Sequence, residues 1–191
     1  MPAEIRRSVL HNFVTRLQEP RRFLQVLAGP RQVGKTTLVR QALAELAQRP
    51  GNSVAQHSVS ADNPGLVGAS WLQAQWEVAR ALASQAGACV LVLDEVQKLP
   101  GWTEEVKRLW DEDTRTARDV RAVVLGSAPL LIARGLTESM AGRFEMTRLG
   151  HWRFAEMQSA FGFTLDQRRP PGRRPALAPR RRRGSRSWGD K

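Results

Sequence analysis

The chain of 191 residues holds one cysteine, Cys89, so no disulfide can form within it, which suits a reducing compartment. No apolar run approaches the ~20 residues needed to cross a bilayer. The opening MPAEIRRSVLHNF lacks the continuous apolar region of a secretory signal. These absences predict a cytoplasmic protein with no membrane partner. Its histidines, His11, His57 and His151, are scattered and have no cysteine or histidine partner at ligand spacing, so no zinc site is indicated. There is no G-x-S-x-G elbow, and Cys89 falls inside an apolar run, which argues against serine-hydrolase or reactive-thiol chemistry. No internal repeat is present.

Charge of one sign is plentiful, but unevenly spread. The net charge is +12. Residues 168–191 (RRPPGRRPALAPRRRRGSRSWGDK) carry nine arginines, one lysine and one aspartate, or +9, which leaves +3 for residues 1–167. The foldable part is close to neutral, and its electrostatics call for no polyanion. The segment after Gln167 is Arg, Pro, Gly and Ala. It has no apolar periodicity to build a core and reads as a disordered tail.

In residues 1–167, strand-like and helix-like patterns alternate. Ile5, Val9, Phe13 and Leu17 predict a helix over 4–18, stopped at Glu19-Pro20. Phe23 to Gly29, Cys89 to Glu95 and Val120 to Ser127 read as buried strands. Ser53 to Ser60 and Phe144 to Leu149 read as further strands. Helices are expected from Lys35 to Pro50-Gly51, around Leu72, Trp76, Ala79 and Ala83, around Trp102, Val106, Leu109 and Trp110, and over Phe154 to Phe161. Asp62, Asn63, Pro64 and Gly65 read as a loop, and Asp111-Glu112-Asp113 as a solvated helix end. Trp76, Trp102 and Trp110 read as packing groups. This alternation predicts an α/β fold with a mostly parallel sheet, helices on both faces and ligands at the carboxyl ends of the strands.

GPRQVGKTT, Gly29 to Thr37, lies between a predicted strand and a predicted helix and fits the phosphate-loop pattern. The glycines let successive N–H groups curl toward a phosphate, and the following helix begins with unsatisfied N–H groups and a positive dipole end. Gly29, Pro30, Arg31, Gln32, Val33, Gly34, Lys35, Thr36 and Thr37 are therefore candidate nucleotide-binding residues. Lys35 supplies charge to the β- and γ-phosphates, and Thr36 offers a hydroxyl to Mg²⁺. VLVLDE adds Asp94 to hold Mg²⁺, directly or through water, and Glu95 to orient or polarise the attacking water. Ser127, after a strand, reads equally as a contact to the γ-phosphate and as a helix-capping turn serine. Arg143 in AGRFE could serve a neighbouring subunit's transition state, although taken alone it reads as a surface arginine.

GPRQVGKTTL, SADNP, WLQAQWEVAR, LVLDEVQKLPGWTEEVKRLWDED, VVLGSA, LTESMAGRFE and HWRFAEM together resemble a group of prokaryotic AAA+-type P-loop ATPases. The long form of these carries a C-terminal domain of unassigned function, itself often compared with nucleases. The resemblance covers roughly residues 5–167. It implies an ATP-binding core with strand order 5-1-4-3-2, and Mg²⁺-dependent hydrolysis in the intact form. It also implies a sensor role for Ser127 and a finger role for Arg143, the latter within a homo-oligomer.

After HWRFAEM, similar chains continue through Gly-Gly-Tyr-Pro-Gly into the long domain, whereas here the basic tail follows FTLDQ at once. The composition of the tail is that of GC-rich coding DNA read out of frame, which predicts a truncated member with a frame shift near Gln167. Hydrolysis would then be impaired by the missing region. The competing expectation is a basic arm that binds nucleic acid without sequence preference, on a vestigial phosphate-loop scaffold. A small P-loop kinase is less well supported, because no residues for an acceptor pocket or a lid are evident.

Overall fold

In the computed structural model the described residues are 5–49, 51, 53–62, 68–127 and 140–162. The chain divides into two units, residues 1–153 and 154–191. The first contains α1 (Val9–Gln18), β1 (Leu24–Ala28), α2 (Lys35–Ala47), β2 (Ala55–Ser60), α3 (Gly68–Ala86), β3 (Cys89–Asp94), a 3₁₀ turn (Val96–Lys98), α4 (Trp102–Arg115), β4 (Val120–Gly126) and β5 (Phe144–Arg148). In the second, α5 (Phe154–Phe161) is described. The predicted basic tail and the Asn63–Gly65 loop lie outside the described residues, as does LTES at 136–139.

The five strands form one parallel sheet in the order β2-β3-β4-β1-β5, which is the expected 5-1-4-3-2 read from the other edge. Strand composition follows position. The inner strands β1, β3 and β4 are apolar almost throughout and buried, because helices cover both faces. Edge strand β2 alternates, with Gln56, Ser58 and Ser60 exposed.

Two apolar layers sandwich the sheet. On one face Leu27, Val90, Val92, Val123 and Leu125 meet Leu10, Phe13, Val14 and Leu17 of α1 and Leu38, Val39, Ala42 and Leu46 of α2. On the other, Leu24, Val26, Leu91, Leu93, Ala122 and Val124 meet Leu72, Trp76 and Ala79 of α3 and Trp102, Val106, Leu109 and Trp110 of α4. Each fully buried Leu or Val side chain contributes about 1.5–3 kcal/mol. Cys89 lies in this core, where burial pushes its thiol up to about 11.

Several sequence expectations change. Helix α1 starts at Val9 rather than near residue 4. Upstream, the Ile5 carbonyl accepts from Gln41 Nε2 at 2.9 Å, and the Arg7 guanidinium is drawn to the Val33 and Gly150 carbonyls. These tertiary bonds hold the segment away from the helix axis. Helix α2 stops at Ala47, before Pro50. Asp113 is not at a solvated end: it is 0% exposed. Helix α4 runs on to Arg115, and Asp113 falls one helical turn after Leu109 and Trp110, on the buried face. There Trp76 Nε1 donates to Oδ2 and Arg80 Nε to Oδ1, each at 2.7 Å. Among the described residues no helix is long and apolar enough to cross a membrane.

Candidate functional site: a phosphate loop and an acid pair at one rim of the sheet

Because all strands run the same way, their carboxyl ends share one rim, and the candidate residues gather there. β1 leaves the sheet at Gly29, which is held tightly. Its N–H donates to the Gly126 carbonyl at 3.3 Å, and the Leu149 N–H donates to the Ala28 carbonyl at 2.8 Å. A Cβ at position 29 would lie 2.1 Å from the Leu149 carbonyl oxygen, so only glycine fits between the ends of β4 and β5. Gly34 is required for a different reason. It has open space around it but a φ of +92°, in the left-handed region, where it turns the loop into α2. No side chain caps the N-terminus of α2. Its first N–H groups and the positive end of its dipole are available to an anion.

Lys35 is 8% exposed and folds back on the loop, donating to the carbonyls of Gly29 at 2.9 Å and Pro30 at 2.7 Å. Burial pulls its pKa below the ordinary lysine value, against the attraction of Glu95 and Asp94. Thr36 Oγ1 donates to Asp94 Oδ2 at 3.2 Å across the rim. Burial raises the pKa of the Asp94 carboxyl, while the Thr36 hydrogen bond opposes that shift. Glu95 follows with φ +53°, a left-handed conformation rare for a non-glycine. Its Oε2 accepts from Ser127 Oγ at 3.0 Å and from Gln97 Nε2.

A cavity of about 680 Å³ joins these groups. It is lined by Arg31, Gln32, Gly34, Lys35, Thr36, Thr37, Asp62, Asp94, Glu95, Lys98 and Ser127. Val33 turns its side chain into the core, leaving only its backbone near the loop. The loop candidates, Asp94, Glu95 and Ser127 are thus brought together. Arg143 is not. It precedes β5, which pairs Leu24 with Phe144 and Ala28 with Arg148, so it sits at the opposite end of the sheet from Gly29. Its Nε and Nη2 donate to Asp111 at 2.7 and 3.1 Å. The residues that Ser127 would cap lie outside the described residues.

Sequence reasoning missed Asp62 and Lys98, which form an ion pair on the cavity wall, and it missed Gln97. VQK after the acid pair was the visible trace. The left-handed turn at Glu95 places Gln97 and Lys98, and Asp62 arrives from the end of β2.

Among the described residues, no cluster of three or more His, Cys, Asp or Glu could hold a metal ion. Thr36 and Asp94 are hard oxygen donors, and they would hold Mg²⁺ only with further oxygens such as those of phosphates.

Parallel sheet, glycine-shaped loop, helix N-terminus and strand-end acid define a P-loop nucleotide-binding protein of the three-layer α/β type. More narrowly, the chain belongs to the AAA domain family, whose sequence profile matches residues 21–158. It is 30% identical over 165 residues to an uncharacterized protein of Mycobacterium bovis and, at the same identity, to one of Mycobacterium tuberculosis. These matches cover 86% of this chain but 33% of each relative, so the chain spans about a third of their length. A solved structure of a Thermotoga maritima RuvB variant has a TM-score of 0.50 and 22% identity, covering 80% of this chain and 45% of that one. That likeness is one of fold.

Proposed function

We propose that this chain is the ATP-binding core, residues 1–167, of a Mg²⁺-dependent ATPase. The observation that carries the reading is the convergence on one cavity of Lys35, the open N-terminus of α2, the Thr36–Asp94 pair and the Glu95–Ser127 pair.

The residues fit the nucleotide. Lys35 already binds two carbonyl oxygens, so phosphate oxygens can replace them without a change in the type of bond. Thr36 and Asp94 would hold Mg²⁺, which when bound supplies positive charge to offset that of the phosphates. Glu95 accepts the proton of the attacking water, and Ser127 holds Glu95 and senses the γ-phosphate. Arg143 contributes only to the site of a second copy, since its own site lies across the sheet.

The test is titration of the protein with ATP, with and without Mg²⁺, and measurement of phosphate release. Saturable binding and release that both depend on Mg²⁺ are expected. Absence of nucleotide binding, or binding without Mg²⁺-dependent phosphate release, by the unaltered chain would overturn the reading.

A further inference from the structure

We propose that Gln97 is a positioning residue for Glu95. Its side-chain amide and the Ser127 hydroxyl together clamp carboxylate oxygen Oε2 and leave Oε1 to take the proton. The role rests on the ATPase reading; the clamp itself does not.

The chain sequence alone would not bring these groups together. Residues 95 and 97 on a continued strand would point to the same face but be held only by the sheet. Instead Glu95 adopts φ +53° and ψ +25°, and the chain turns into a 3₁₀ segment, with Lys98 N–H on the Glu95 carbonyl and Leu99 N–H on the Val96 carbonyl, each at 3.0 Å. Val96 and Leu99 are buried in the α3–α4 core and pin the turn from beneath. The Glu95 N–H donates to the Leu125 carbonyl at 3.2 Å, which ties the turn to β4 two residues before Ser127. A backbone strained in this way and fixed on both sides holds side chains in one arrangement.

Chemistry fixes the orientation of the amide. A carboxylate only accepts, so Nε2, not Oε1, must face Glu95. That orientation leaves Gln97 Oε1 buried with no hydrogen-bond partner among the described residues. An orphaned buried acceptor is unfavourable, and the turn keeps it to preserve the bond on the other side of the amide. Both donors fall on the same oxygen of Glu95, Oε2. The two oxygens therefore differ: Oε2 is anchored, and Oε1 has no hydrogen bond among the described residues. A base with one anchored oxygen presents the other in a fixed direction, which is what a positioned proton acceptor needs.

The experiment compares Gln97→Ala and Gln97→Glu with the unaltered chain, following ATP affinity, kcat and its pH dependence. It also records the side-chain amide NMR signals of Gln97 in the unaltered chain and in Glu95→Ala. Loss of an outer partner of a reacting group lowers activity about 10- to 100-fold, and here the loss should appear in kcat while the ATP Kd stays constant. The deficit of Gln97→Glu should narrow as pH falls, because protonation of the introduced carboxyl restores a donor. Unchanged kcat, or kcat and affinity failing in parallel, would overturn the role. If the unaltered chain binds ATP without hydrolysing it, the ATPase reading fails by itself and the NMR comparison decides the clamp. Gln97 amide signals that move toward the solvent-exposed position in Glu95→Ala support it, and signals that stay in place overturn it.

Discussion

Two acidic stretches invite comparison: Asp94-Glu95 at the rim of the sheet and Asp111-Glu112-Asp113 on α4. In the second, Asp113 has both carboxylate oxygens bonded inside the core, and Arg80, its main partner, also reaches Glu77 at 2.6 Å and the Leu109 carbonyl at 3.3 Å. Nothing there is spare. In the first, Asp94 has one side-chain bond, to Thr36, and Glu95 has both of its donors on one oxygen. Partial burial without full satisfaction marks the rim acids, whereas complete burial with full satisfaction marks Asp113. On the proposed function, the difference between a chemical and a structural carboxylate lies in this accounting of oxygens, since the letters in the sequence are the same.

The comparison can be broken at each point. At the rim, Glu95→Gln should keep ATP affinity and lower phosphate release by about 10²- to 10⁴-fold, the usual range for a general base; wild-type release would remove Glu95 from the chemistry. On α4, Asp113→Ala leaves Arg80 buried without its main partner and should lower stability in chemical denaturation by about 3–5 kcal/mol. The folded fraction should still bind ATP normally, and altered affinity there would blur the division. Lys35→Ala should weaken ATP binding about 100-fold, or about 2.7 kcal/mol, in calorimetric titration with little change in stability.

The smallest effect concerns Asp94 and has the opposite sign. Burial raises its pKa in the folded state, so the folded protein holds that proton more tightly than the unfolded chain. Its contribution is least favourable above the folded-state value and improves as pH falls through it. Asp94→Asn should therefore raise the denaturation midpoint of the nucleotide-free protein near neutral pH, with the gain closing as the pH is lowered. The same substitution should weaken Mg²⁺-dependent ATP binding. A lower midpoint at neutral pH would show that the Thr36 bond outweighs the burial.

Much of this was legible from the residues. The runs LQVLA, CVLVLD and VRAVVLG announce inner parallel strands because only strands covered on both faces are apolar without alternation. GPRQVGKTT announces its own loop, since each glycine and the lysine answer a separate physical need. What was hidden depends on contacts distant in sequence. The capture of Arg7 by Val33 and Gly150 delays α1, and Trp76 and Arg80, on another helix, make a core position tolerable for Asp113. Gln97 was hidden for a local reason: a left-handed glutamate has no sequence mark.

The fit of Gly29 against Leu149 has a mechanical consequence. The loop that would grip phosphate, the end of β5 and the Arg7 segment are one linked part: Gly29 fills the space beside the Leu149 carbonyl, and Arg7 joins the Val33 and Gly150 carbonyls. With the loop, the strand exit and the Arg7 segment in direct contact, a displacement of the loop is expected to be passed to the other two. The closeness of that contact rests on a missing methyl group.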